Sequence, residues 1–194
     1  RIPKSWECKK LGEVGKCLGG FAFKSQDASS EGTPWLKIAN VGVGVVKWND
    51  RSFLPKTFSG KHPNFVLRQG DIVCAMTRPI LNGKLKVATI SKSDAGALLN
   101  QRVCKITPYG KVVDDFLFHL LQSDFIVEQI DIEIAGSDPP NVSGEQIESV
   151  WVTVPSIEEQ RNYAEVIDSI QNRINILSLQ LSQTQSLKKS LMQD

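Results

Sequence analysis

Histidine is scarce in this chain, and its cysteines are far apart. The two histidines are His62 and His119, and the four cysteines are Cys8, Cys17, Cys74 and Cys104, with no C-x-x-C pair among them. A structural zinc site needs four closely placed ligands, which this pattern does not offer. The cysteines therefore read as reduced core residues of a cytoplasmic protein. No run of ~18 or more apolar residues occurs, so no membrane-spanning helix is expected. Arg1–Gly20 lacks the pattern of a secretory signal. No glycine-rich cofactor loop follows a strand. The sequence starts without Met, so it is expected to be trimmed or excised from something longer.

What is present is a charge split. Arg1 to Lys111 holds 19 Lys and Arg against 7 Asp and Glu, a net of +12, whereas Val112 to Asp194 holds 4 against 14, a net of −10. A basic segment suits a polyanion, because each neutralised phosphate releases a condensed counterion. An acidic helical segment repels DNA and is better suited to protein. The hydrophobic fraction of 41% is enough for a core without staples. The length of 194 residues fits one domain, or one domain plus an appendage.

From Trp6 to about Thr107 the pattern is strand-like. The best strand candidates are Trp35–Ala39, Asp71–Ala75, Lys86–Ile90 and Arg102–Thr107, with glycines punctuating them. Three polar and basic connections lie between: Gly19–Thr33, Asn49–Asn64 and Thr77–Lys86. Loops on a rigid sheet are common places for binding residues. Asp114 reads as the N-cap of a helix burying Phe116, Leu117, Leu120 and Leu121, and a second helix is expected from about Asp124 to Ile132. Ser143 and Gln146 form a capping-box pattern for a short helix. Val150–Val154 reads as a strand stopped by Pro155.

Ser156 and Glu159 form another capping box, and no Gly or Pro follows before the end. Near-apolar positions recur at Tyr163, Ile167, Ile170, Ile174, Leu177, Leu181, Thr184 and Leu191, in alternating steps of four and three. Lys188 falls on that seam, with Leu187 beside it. A helix to Leu191 would be roughly 54 Å long at about 1.5 Å per residue. One small β-rich domain cannot cover such a stripe, so the overhang calls for a partner helix.

An ordered series of motifs resembles the DNA specificity subunit of type I restriction–modification enzymes, over essentially the whole chain. The segments that carry it are Pro3-Lys-Ser-Trp6 with Lys10-Leu-Gly-Glu-Val14, Gly32–Val41, Leu67-Arg-Gln-Gly-Asp-Ile-Val73 and Asn100-Gln-Arg-Val103. Gly136-Ser-Asp-Pro-Pro-Asn-Val-Ser143 resembles the family's Gly-Ser/Thr-x-x-Pro-Asn-Ile-Ser turn. Val152-Thr-Val-Pro-Ser-Ile-Glu-Glu-Gln160 is similar to the segment that opens the family's spacer helix, although two prolines there are reduced to Pro155 alone.

The resemblance implies an α+β fold: a β-rich target recognition domain with short helices over 1–155, then one long C-terminal coiled-coil helix over 156–194. It implies that the domain reads one half of a split target in double-stranded DNA. The helix would space the half-sites and dock methyltransferase (modification) subunits. S-adenosylmethionine, ATP and Mg would belong to those partners and to a separate restriction subunit, with no cofactor, metal or catalytic residue on this chain. One such unit is either a half-subunit that dimerises or a fragment of a full subunit, with self-association or a second half joined through the long helix. The implied location is cytoplasmic, with no membrane partner.

Within Thr77–Lys86, Arg78 and Asn82 read as base contacts, because Arg pairs with guanine and Asn with adenine through two hydrogen bonds each. Lys84 and Lys86 read as phosphate contacts that set register; a solvated basic hairpin is the alternative. Lys24 and Gln26 are the candidates in Gly19–Thr33, where Phe21 and Phe23 are either sugar and base contacts or core. Asn49–Asn64 supplies Arg51 and Lys61 as backbone contacts, beside Lys56 and Asn64, while His62 reads as an ordinary surface histidine. Gln101 and Arg102 either reach DNA or hold a turn. On the helix, Ile167, Ile170, Ile174, Leu177, Leu181 and Leu191 are expected to face the partner. Asp138-Pro-Pro-Asn141 resembles the Asp-Pro-Pro-Tyr motif of amino-methyltransferases, but Asn141 replaces the aromatic, and the segment reads as a turn. Two other readings stay open: a small DNA methyltransferase, and an adaptor that does not bind DNA and dimerises through the helix.

Overall fold

The computed structural model describes residues 3, 5–49 and 51–192. Its centre is an antiparallel sheet of β2 (Gly15–Gly19), β10 (Val103–Pro108), β5 (Ile72–Ala75) and β8 (Val87–Thr89), in that order. All four residues of β5 are buried, because both faces of the sheet are covered there. Ile72, Cys74, Cys104 and Ile106 point to one face. There they meet Phe116, Leu117 and Leu121 of α3 (Asp114–Leu121), Ile126 and Ile130 of α4 (Asp124–Ile134) and Ile147 of α5 (Gly144–Ser149). Val73, Ala75 and Val103 point to the other face and pack on Leu36, Leu67 and Leu99. That second layer is a small sheet of β4 (Phe53–Leu54), β3 (Thr33–Leu36) and β9 (Leu98–Leu99), with β3 and β9 parallel. The start of the chain is tied to its later part by β1 (Glu7–Lys10), which pairs antiparallel with β11 (Trp151–Val154). The short α1 (Leu11–Val14) follows, and α2 (Thr57–Lys61) lies in the second long connection.

Three local expectations change. Strand pairing expected over Trp35–Ala39 ends at Leu36, and a 3-10 turn follows at Ile38–Asn40. The buried Asn40 side chain causes the break: its Oδ1 accepts from the Lys37 N–H at 3.0 Å and its Nδ2 donates to the Lys47 carbonyl at 3.0 Å. Val113, not Asp114, is the N-cap of α3, which places Asp114 and Asp115 in the first turn where the helix dipole favours anions. Cys74 and Cys104 are core residues and all four cysteines are free, but Cys8 is exposed and Cys17 half-buried.

The long helix α6 spans Ile157–Leu191. Its capping box is formed: Ser156 Oγ accepts from the Glu159 N–H at 3.3 Å, and Glu159 Oε2 accepts from the Ser156 N–H at 3.0 Å. Only Gln160 and Ala164 are buried along it. Gln160 is fully enclosed, and its amide is satisfied by the domain: Oε1 accepts from the Val113 N–H at 2.8 Å, while Nε2 donates to the carbonyls of Lys111 at 3.0 Å and Pro155 at 2.9 Å. About two turns further on, Asp168 Oδ1 lies 2.8 Å from His119 Nε2. From Glu165 to Met192 every residue is exposed, so the helix does not lie along its own domain.

Candidate nucleic-acid interface

The antiparallel register of the central sheet sends several connections out of one end. Gly19 pairs with Cys104, Val103 with Ala75 and Cys74 with Val87. The segment after β2, the Asn100–Arg102 turn before β10, the segment after β5 and the segment before β8 therefore emerge together. Backbone bonds hold them there. Phe21 N–H donates to Leu99 O and Gln101 N–H to Phe21 O, both at 3.0 Å, and Met76 N–H donates to Arg102 O at 2.9 Å. Gly20 lies so close to the Asn100 carbonyl that a Cβ could not fit. The loop is pinned to the Asn100 turn at its first residue.

The connections Gly19–Thr33 and Asn49–Asn64 meet through rings. Phe21 lies 4.1 Å from His62, centroid to centroid, and Phe23 packs on His62, Phe58 and Trp35. Phe23 is core, whereas Phe21 is 37% exposed. The core alternative holds for Phe23, and Phe21 is left open to solvent. Lys24 and Gln26 are exposed on and beside a 3-10 turn at Ser25–Asp27, held by the Asp27 carboxylate accepting from the Lys24 N–H at 2.9 Å. Lys61 is exposed on α2 with its ammonium 5.6 Å from the Phe58 ring. Lys24 and Gln26 thus follow directly on the Phe21–Phe23 segment, and Lys61 adjoins His62, within the ring-linked connections that also meet Gln101. His62 is a stacked member of this cluster, which nothing in its sequence neighbourhood announces. The contact with Phe21 depends on long-range packing.

The loop 77–86 is a hairpin of β6 (Ile80–Leu81) and β7 (Lys84–Leu85), closed by Asn82 and Gly83, both with positive φ. That is the Asn-Gly geometry of a two-residue hairpin, so the turn itself explains Asn82. Arg78 also has a left-handed φ of 47°, uncommon for a side chain that is neither Gly nor Asn. It is clamped by the 136–143 turn: Arg78 N–H donates to Pro140 O at 2.7 Å, and Thr77 Oγ1 donates to Asn141 Oδ1 at 2.6 Å. Asn141 Nδ2 donates to Pro139 O at 2.7 Å. Asp138–Asn141 is therefore a structural turn, and its asparagine amide is engaged within the fold.

The other basic candidates have internal partners. Lys84 lies 2.7 Å from the Asp124 carboxylate. Lys86 donates to the Ile38 carbonyl at 2.9 Å, and burial lowers its pKa, opposed by the neighbouring Cys74. The Arg51 guanidinium stacks 4.9 Å from the Trp48 ring, whose N–H donates to Asp94 on the loop after β8 at 2.7 Å. Arg78, Lys24, Gln26 and Lys61 are open to solvent, as are Arg51 and Lys84 beside their partners, whereas Lys86 is half-buried. On the helix, Ile167, Ile170, Ile174, Leu177, Leu181 and Leu191 are all exposed, by 40% at Ile167 and 69% at Leu191. Val166, Ile176 and Leu179, off the expected seam, are exposed as well.

The family model described as the type I restriction modification DNA specificity domain matches residues 3–184. The chain is 36% identical over 192 residues to the type I restriction enzyme MjaVIII specificity subunit of Methanocaldococcus jannaschii, covering 98% of this chain and 45% of that protein. It is 36% identical over 188 residues to the EcoAI specificity subunit of Escherichia coli, covering 95% of this chain and 32% of that one. A chain from a solved structure concerned with assembly and conformational transition of the type I R-M system aligns with a TM-score of 0.71 at 18% identity, over 98% of this chain and 44% of its own length. The HsdS subunit of Thermoanaerobacter tengcongensis aligns with a TM-score of 0.63 at 19% identity, over 91% and 40%. The chain thus spans less than half the length of these relatives. With a family match over nearly all of its residues and the same β-rich domain and long helix, the chain belongs to the type I restriction–modification DNA specificity family.

Proposed function

We propose that the chain is a non-catalytic, sequence-reading module of a type I restriction–modification assembly in the cytoplasm. It reads one half of a bipartite duplex target. Its α6 joins a second specificity half and docks methyltransferase subunits, in an assembly that also includes a separate restriction subunit. S-adenosylmethionine, ATP and Mg²⁺ act on those partners. The observation that supports this reading is that the segments bearing Lys24 and Gln26, Arg78 and Arg102, all exposed, leave the same end of the central sheet, with Lys61 joined to the first of them through the Phe21–His62 contact. Cations there suit phosphates, and Arg and Gln suit base edges in the major groove. The unpartnered apolar stripe of α6 supports the second half of the proposal.

The test is a selection of the purified chain against a randomised duplex pool at low salt. A split palindrome with fixed spacing is expected if two copies join through α6, and a single short motif if one copy acts alone. Failure to enrich any sequence, with and without a methyltransferase partner, would overturn the proposal.

A further inference from the structure

The sheet end described above is not the only basic surface of the domain. A groove of about 490 Å³ runs along the outer face of β2 and β10, beneath the 3-10 turn Pro63–Phe65. Its floor follows from strand register. Lys16 pairs with Thr107 and Leu18 with Lys105, which places all four side chains on one face. Lys105 also pairs with Val73, so this is the face that elsewhere carries the small sheet. Cover gives out toward β2: Leu18 and Lys105 are half-buried, Lys16 and Thr107 exposed. Phe65 and Arg68 form one wall, and Tyr109 closes the far end.

The charges here are unbalanced. Lys105 lies 3.5 Å from the Asp71 carboxylate, which also accepts from the Arg68 backbone N–H at 2.8 Å. The Lys16 ammonium and the Arg68 guanidinium have no acidic partner among the described residues. The groove is also continuous with the loop cluster. Phe65, in its wall, lies 5.5 Å from Phe21, and His62 immediately precedes the Pro63–Phe65 turn. From Lys16 to Phe21 an extended chain covers about 16 Å at ~3.3 Å per residue. That equals about five base-pair steps of ~3.4 Å, or roughly half a duplex turn.

We propose that this groove is a second contact for the DNA phosphate backbone, with Lys16 and Arg68 holding phosphates about half a turn from the bases met at the loop cluster. The inference rests on the DNA-reading function proposed above and extends it to a surface that sets position and carries no sequence preference. An open groove with two unpaired cations and flat rings matches a backbone passing across it. It has no enclosed set of polar groups with which to grip a small anion.

The experiment uses the full chain with Lys16→Gln, Arg68→Gln and both together. Lys92→Gln, beyond β8 at the opposite edge of the sheet, serves as control. Duplex affinity is measured between about 50 and about 200 mM salt, on a selected sequence and on a scrambled one. The double variant is expected to bind both more weakly, with the slope of log K against log salt shallower by about 1.8, since each phosphate contact contributes about 0.9. The preferred sequence and the melting temperature should stay as they are, and the control should match the parent. If the parent binds its selected sequence and the double variant keeps its slope, the groove is not a DNA contact. A loss confined to binding of a methyltransferase partner would make it a protein surface instead. A parent that binds no duplex at all removes the DNA-reading function, and this proposal with it.

Discussion

The base of α6 and the rest of α6 are one helix in two environments. At the base, one amide side chain, Gln160, makes three bonds to the domain, and a small residue, Ala164, allows close packing. Beyond Asp168 the helix carries Ile174, Leu177 and Leu181 with nothing on them. The base is satisfied inside the chain; the rest is complete only when something else supplies a surface. The same division appears among the basic residues. Lys86 has its partner within the fold, while Arg78 and Lys24 face solvent. Groups closed inside the chain set its shape, and groups left open mark where it meets other molecules.

The largest expected effect comes from breaking the open part of the helix. Ile174→Asp with Leu181→Asp removes two seam residues, each worth about 1.5–3 kcal/mol on burial. Self-association or docking should weaken by about two orders of magnitude or more, read by sedimentation velocity. The melting of the domain should not move. Global unfolding of this double variant would mean that α6 depends on its own domain along its length.

Gln160→Leu attacks the closed part. It leaves the Val113 N–H and the Lys111 and Pro155 carbonyls without their bonds. Each buried unsatisfied group costs about 1–3 kcal/mol, so a loss of about 3 kcal/mol in denaturant unfolding is expected. An unchanged midpoint would show that the three bonds contribute nothing net. The two experiments together separate orientation from association.

Arg78 and Lys84 sharpen the same comparison within the domain. Arg78→Ala is expected to weaken duplex binding by about 1–3 kcal/mol and to relax preference at one position of the target. Lys84→Ala should leave affinity nearly unchanged and lose at most about 1 kcal/mol of stability, because its exposed pair with Asp124 is a surface ion pair. Equal losses of affinity from both changes would place the whole hairpin on DNA.

Much of this was legible in the sequence. Asp71–Ala75 and Arg102–Thr107 announce buried strands by composition. The capping box at Ser156 and Glu159, with no later breaker, announces the long helix to within a residue of where it starts and stops. What could not be read is what depends on pairing between distant segments. The Phe21–His62 stack joins two connections that nothing local relates. Lys16 joins Arg68 only through the register of β2 on β10 and the turn laid over them. The internal partners of Lys84 and Lys86 appear only when α4 and the Ile38 turn are placed beside them. Gln160 was visible as part of a motif, but its role as an anchor needed the Lys111–Val113 backbone to be in position.

The smallest expected effect concerns acid at the base of the helix. Side-chain and backbone bonds from Ser156 hold the Glu159 carboxyl below its ordinary value, with a smaller part from the Trp6 indole, while burial opposes them slightly. A carboxylate whose folded pKa is depressed contributes stability that is fully present above its unfolded pKa. That contribution is lost as pH falls from there through the folded value. The first turn of α6 should therefore fray below about pH 4.5. The exposed length beyond Asp168 has no such bond to lose. Amide exchange read along α6 in the acid range should show this gradient, and Glu159→Gln should flatten it by removing the titrating group. Fraying that began at the Leu191 end, or an unaltered gradient in the variant, would mean that the cap does not govern how the helix is joined to the domain.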